Sequence, residues 1–389
     1  MLALRLVRGS HPLVLVRRLL VASASAGVGF LLLSTLGHAS GHPDQAAGSV
    51  LRLLWCSVPL AATVQFAVAV ARTDPSTRPR AGLSALGLGP VRLSVLAAVS
   101  TAVATTLGSM VALLFFLHLR GDLTGMPFDG GAAKFLGAGS PLPLAAALVL
   151  LALVPVSASV ASALALRSRP TAAAPDDPFA AEEPLSPAAA PSGLPWGVAL
   201  TAAGLAVEAY ASRGSGGSPF PLPGRLDSTP AGVLAGWVLT ATGLALAGPG
   251  LTHLCGRLLQ SARPGAVRLL AGRVLMDEAR RIGRPLGIVC AVVSGAVAAM
   301  ALYEPGSRPY GPLTALGAVL VLGCTVASLL TSAIEARQDR ARTAENLHRL
   351  GARSSVLRSA TALRAVALLL VFAPLTWAIA QLAALPLSG

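Results

Sequence analysis

The chain has 389 residues, of which 54% are hydrophobic, 12% charged and 4% aromatic, with a mean hydropathy of +0.71. Soluble domains carry about 25% charged residues, so an ordinary water-soluble enzyme is excluded. The net charge of +14 is accompanied by no zinc-finger spacing and no basic-aromatic strand pattern, so nucleic acid is not expected as a partner.

Taken from the N-terminus, the apolar residues fall in blocks of about 20, the helix length that crosses about 30 Å of hydrocarbon. Nine blocks qualify, at about 19–37, 50–71, 92–118, 142–166, 195–211, 231–252, 285–303, 311–335 and 359–384. A β-barrel would show alternating polarity in segments of about ten residues, whereas Leu144 to Leu166 is apolar all round. The expected fold class is therefore all-α: a polytopic membrane protein with about nine spans, eight to ten being the range. Arg17 and Arg18 before the first block resemble an export signal, but the eight blocks that follow favour reading it as a span.

Positive charge is retained on the cytoplasmic side of membranes. With the N-terminus inside, the inner segments hold 23 arginines and the outer loops five basic residues (Arg120, Lys134, Arg213, Arg225, Arg308). The chain is expected to be a multi-pass protein of the plasma (inner) membrane, N-terminus cytoplasmic, its inner arginines meeting anionic lipid headgroups. Cys56, Cys255, Cys290 and Cys324 show no disulfide or metal spacing and read as small buried hydrophobes.

An internal repeat is visible in short matches. Leu2-Ala3-Leu4-Arg5-Leu6-Val7 before the first span corresponds to Leu270-Ala271-Gly272-Arg273-Val274-Leu275 before the seventh. Leu83-Ser84-Ala85-Leu86-Gly87 corresponds to Leu347-His348-Arg349-Leu350-Gly351, and Ala71-Arg72 with Asp74 to Ala336-Arg337 with Asp339. The expected organisation is membrane repeat 1 over 1–166, a disordered Pro/Ala-rich cytoplasmic linker over 167–194, a connecting transmembrane hairpin over 195–252, and membrane repeat 2 over 253–389. Both repeats run in the same sense, and each contains a lead-in amphipathic helix and a basic loop, 72–91 in the first and 336–358 in the second.

The second loop has its own helical pattern. Glu345 and Arg349 stand i,i+4 with the acid first, Leu347 and Leu350 add apolar side chains, and Gly351 suits the left-handed residue that ends a helix. The first loop repeats the device with Leu83, Leu86 and Gly87. A short helix turned sharply into a span is expected, lying either on the headgroups or docked in a groove of a cytoplasmic partner; its occurrence in both halves favours docking.

The segment Thr343-Ala344-Glu345-Asn346-Leu347-His348-Arg349-Leu350-Gly351-Ala352-Arg353 resembles the cytoplasmic coupling segment of FtsX-like (MacB-type) ABC transporter permeases. Leu270-Ala271-Gly272-Arg273 with Arg280 and Arg281 is similar to that family's lead-in helix; the likeness is clearest over 268–384. The resemblance implies a permease subunit that pairs with a second copy or a paralogue and with two copies of a separate ABC ATPase, which binds ATP and Mg. It implies that Leu83, Leu86, Gly87, Glu345, Leu347, Leu350 and Gly351 are the ATPase-docking residues. The chain departs from the family in having no large external domain and no fourth span in the second repeat.

Other chemistry is not expected. A P-loop is missing, because Lys134 in Gly130-Gly131-Ala132-Ala133-Lys134-Phe135 lacks the glycine before it and the hydroxyl after it. His11, His38, His42, His118, His253 and His348 lie at or beyond span ends and form no HExxH, so neither catalytic nor metal-binding residues are assigned and this chain is not read as an enzyme. Arg52, Glu208 and Arg364 read as snorkelling side chains, with outer-leaflet substrate contact as the alternative; Asp277 and Glu278 read as a solvated helix face, with ATPase contact as the alternative; and the hydroxyls of spans three and four read as packing contacts, with a path for an amphiphile as the alternative. The function expected is coupling of a partner's ATP hydrolysis to export or extraction of a hydrophobic or amphiphilic substrate. The alternative is a signalling subunit that controls an envelope enzyme or sensor without moving cargo.

Overall fold

The computed structural model describes residues 12–74, 90–122, 130–133, 136–167, 190–213, 231–261, 265–301, 311–349, 351 and 353–384. Ten α-helices occur among them: α1 (Pro12–Gly41), α2 (Ala46–Trp55), α3 (Ser57–Thr73), α4 (Pro90–Arg120), α5 (Leu144–Arg167), α6 (Gly193–Arg213), α7 (Ala231–Gln260), α8 (Ala266–Ala301), α9 (Pro312–Arg349) and α10 (Ser354–Ala384). Among the described residues no strand is present, and nine stretches are long and apolar enough to span a membrane, α2 and α3 together making the second. The molecule is an all-α, multi-pass membrane protein. The lead-in segment 2–7 and most of the linker, 168–189, lie outside the described residues.

The α2–α3 junction has a local cause. Proline at 59 has no N–H to offer the carbonyl of Trp55, and the helix is interrupted by a turn at Cys56. The Cys56 N–H bonds to the Arg52 carbonyl at 3.2 Å and the Leu60 N–H to the Cys56 carbonyl at 3.1 Å, which keeps the two pieces in one course.

The helices form two compact units, Met1–Ala172 with Tyr310–Cys324, and Ala173–Pro309 with Thr325–Gly389. In the first, α1 is the central helix, with Val28 and Leu33 fully buried. Its Phe30 meets Phe116 of α4 edge-on at 6.2 Å between ring centroids. Close approach is set by small residues: a Cβ on Gly108 would collide with the Ala22 carbonyl oxygen, and the Ser25 hydroxyl donates to the Thr105 carbonyl at 2.8 Å. Ser109 donates in turn to the Leu151 carbonyl of α5 at 3.2 Å. The buried hydroxyls of span three are thus packing contacts, as expected, although Thr106 is exposed. Leu313, Leu316 and Leu320 at the start of α9 pack on the Val28, Leu31 and Leu32 cluster of α1.

At the far end of this unit the chain folds back over α1 and α4. Gly137, at φ +66°, places Leu136 against Gly37, where a Cβ would lie 2.6 Å from the Leu136 carbonyl oxygen. Arg120, almost fully buried, donates to the Ser140 carbonyl and secures the turn.

The second unit is built around α7, which meets backbone on both sides. Toward α6, a Cβ on Gly204 would lie 2.6 Å from Thr240 N, and one on Gly243 2.5 Å from Thr201 N. Toward α8, Cβ atoms on Gly248 and Gly287 would strike the carbonyl oxygens of Gly283 and Leu244, and one on Gly256 would lie 2.7 Å from the Gly272 oxygen. Small residues at helix contacts let backbones approach where lipid offers no hydrophobic drive to association. The hairpin expected to join the repeats is therefore packed as part of the second unit. By contrast, α10 joins through side chains: Phe372 and Ile379 cluster with Leu244 and Cys290, and the Thr376 hydroxyl donates to Cys290 Sγ at 3.0 Å.

Candidate coupling site

Between Glu335 and Arg349 there is neither glycine nor proline, so nothing in the sequence stops a helix when the apolar stretch ends. Accordingly α9 runs unbroken past Gln338, the end of its apolar span, to Arg349. This corrects the expectation of a separate short helix within 336–358. Near its end Arg349 Nη2 donates to Glu345 Oε1 at 2.6 Å, both side chains well exposed, the i,i+4 pair that the spacing predicts. Gly351 has φ +91°, a left-handed conformation that glycine adopts without a Cβ penalty. The chain then re-enters helix at Ser354, with the Val356 N–H bonded to the Arg353 carbonyl at 3.0 Å.

Of the predicted docking residues, Glu345 is thus exposed on the last turn of α9 and Gly351 forms the turn, while Leu347 lies on the helix between them. The side chain of Leu347 and the residues Leu83, Leu86, Gly87 and Leu350 lie outside the described part of the chain.

Behind this turn, three helices meet at one carboxylate. Glu278 of α8 accepts from Arg340 Nη1 of α9 at 2.8 Å and lies 4.0 Å from Arg364 Nη1 of α10. The Glu278 and Arg364 side chains are each only 13% exposed, which overturns two expectations. Glu278 belongs to a shielded ion cluster and not to a solvated face, and Arg364 turns toward that cluster instead of snorkelling outward. The physical reason is mutual: α8 continues through its charged stretch as one helix, 266–301, instead of ending before a separate span. It thereby carries Glu278 to the place where both arginines need an anion.

The first unit has a related contact. Arg18 of α1 pairs with Asp74, just beyond α3, at 2.6 Å, the Asp74 side chain being 8% exposed. Arg17 Nη1 donates to Thr73 Oγ1 at 3.1 Å. Arg18 and Asp74 also line a cavity of about 20 Å³ with Thr101 and Val70, room for about one water. In each unit an ion pair joins the helix that opens the predicted repeat to the end of its second span, with the signs exchanged. Sequence reading missed both pairs, although Arg18, Asp74 and Glu278 each stood just outside a predicted apolar block, where hydropathy falls.

Glu208 overturns a further expectation. Its side chain is fully buried, and its Oε1 accepts from the Trp237 indole N–H at 2.5 Å. It faces α7 because Gly236 there leaves room: a Cβ at 236 would stand 2.9 Å from Glu208 Cβ. Arg52 is exposed, as snorkelling predicts, and all four cysteines are buried free thiols.

These helices define a multi-pass, all-α membrane protein. No family model, no curated protein and no solved structure matches the chain.

Proposed function

We propose that the chain is the permease subunit of an ABC transporter of the FtsX-like class, working with a separate ATPase and a second permease copy or paralogue. In this reading the arginine-rich helix ends face the cytoplasm, and the Glu345–Gly351 turn docks on the ATPase. The observation that carries it is the course of α9, a single helix from an apolar span to the exposed Glu345–Arg349 pair, tied to α8 and α10 at Glu278. At 1.5 Å per residue the part beyond Gln338 is about 16 Å long, enough to carry a docking surface clear of the headgroups. Movement of a partner against that tip would be passed through the Glu278 cluster to α8 and α10.

The cargo in this reading is hydrophobic or amphiphilic and is exported or extracted from the membrane. The test is purification of the tagged chain from its native membranes in mild detergent, in parallel with Leu350→Asp. The expected result is an ATP-hydrolysing subunit retained by the parent and lost from the variant. A parent that stays folded and carries no ATPase would refute the proposal. Stimulation of ATP turnover by an amphiphile would favour transport; ATP-dependent control of a co-purified enzyme would favour the signalling alternative.

A further inference from the structure

Arg364 presents an uncompleted hydrogen-bonding inventory. A guanidinium carries five N–H donors. Here Nη2 donates to Thr361 Oγ1 at 3.1 Å, while Nε and Nη1 are buried without a hydrogen-bond partner. The nearest carboxylate oxygen, Glu278 Oε2, is 4.0 Å from Nη1 and already accepts from Arg340. Two guanidiniums therefore share one carboxylate. Arg281 and Asp277 also act on Glu278 through charge, with opposite signs. A buried donor with no acceptor is costly, and a guanidinium whose Nε and Nη1 both lack an acceptor fits an oxyanion able to accept two N–H groups at once.

We infer that Arg364 and Arg340, with Glu278 between them, form a binding site for the phosphate of an anionic phospholipid. The source is a lipid and not a free anion because of what surrounds the arginine. Arg364 lies within the apolar span Ser354–Ala384, whereas Arg340 stands just beyond the end of the span Pro312–Gln338, so the cluster sits where a helix bundle passes from apolar to charged sequence. The site needs no ATPase and does not rest on the transport reading.

The experiment uses the full chain purified in mild detergent and counts retained lipid by native mass spectrometry after addition of phosphatidylglycerol or phosphatidylcholine. Phosphatidylglycerol is expected to be retained over phosphatidylcholine. Arg364→Gln should weaken that retention about tenfold, the effect of removing one basic charge and its charged hydrogen bond. Glu278→Gln, which removes the competing charge from the same cluster, should strengthen it. General structural damage would weaken retention in both variants, so the opposite signs test the site itself even if one variant is unstable. Arg353→Gln, an exposed arginine outside the cluster, is the control and should retain lipid like the parent. Equal retention by Arg364→Gln and the parent, or weaker retention by Glu278→Gln, would overturn the inference. Displacement of the lipid by an equal concentration of inorganic phosphate would overturn the lipid assignment in favour of a free-anion site.

Discussion

Gly283→Ala tests whether the second unit is held by backbone contact. A Cβ at this position would lie 2.5 Å from Pro249 Cα and 2.7 Å from both Pro249 N and the Gly248 oxygen. All three atoms are backbone, so no rotamer change relieves the clash. To restore an ordinary contact of 3.4 Å, α7 and α8 must part by 3.4 less 2.5, about 0.9 Å, a gap that forfeits about a quarter to a half of each contact's attraction. Overpacking of this kind costs about 1–3 kcal/mol, here at the upper end because the neighbours cannot yield. The gain of alanine over glycine in a helix returns about 1 kcal/mol, leaving a net loss of about 2 kcal/mol, or roughly 30-fold in the folding equilibrium. Gly295→Ala, on the same helix with nothing within 4 Å, keeps only the gain and should stabilise by about 0.5–1 kcal/mol. Unfolding midpoints in mixed micelles titrated with sodium dodecyl sulfate would read the two opposite shifts. Equal midpoints for the two variants would refute the account of the α7–α8 contact.

Three further outcomes follow from the same contacts. Arg18→Asp and Asp74→Arg should each destabilise the first unit by about 1–3 kcal/mol in that titration, and the double exchange should recover most of the loss; additive losses would show that the pair is not a contact. Trp237→Phe removes the indole donor from the buried Glu208 carboxyl and should cost about 1–3 kcal/mol, measured by thermal unfolding in detergent, whereas an unchanged midpoint would show the bond to be dispensable. Gly351→Val forces a β-branched residue into a left-handed conformation at about 1–2 kcal/mol or more, so limited trypsin digestion should cut faster after Arg349 or Arg353; unchanged cleavage would show that the turn needs no glycine.

The spans were legible because burial in a bilayer leaves a strong one-dimensional record, and each predicted block falls on a helix, although the helices of the seventh and eighth blocks, 266–301 and 312–349, run well past 285 and 335. Gly351 was legible for a similar local reason, since few residues tolerate that φ. Helix extent beyond the bilayer was less so. Hydropathy falls at Glu335 and again before Pro285, but a charged stretch without helix breakers continues a helix, as α9 does, and α8 holds its course through Pro285. Charge partners distant in sequence were not legible. Glu208 and Trp237 are 29 residues apart, and Glu278 and Arg340 are 62 apart, so their meeting depends on the rotation of each helix about its axis. Glycine contacts fix that rotation between α6, α7 and α8, and a single sequence does not state which glycines face one another.

The glycine contacts on both sides of α7 also determine how the second unit can move. Side-chain interfaces have slack, because rotamers can exchange and let helices slide by small steps. Between Gly248 and Gly283, or Gly256 and Gly272, there are no rotamers to exchange, so α6, α7 and α8 displace together or must separate outright. The compliance of the unit is left to α10, which is held by Phe372, Ile379 and the Thr376–Cys290 contact. Any cycle of shape change in this half would appear as a shift of α10 against a stiff three-helix block, with the Glu278 cluster registering the shift at one end.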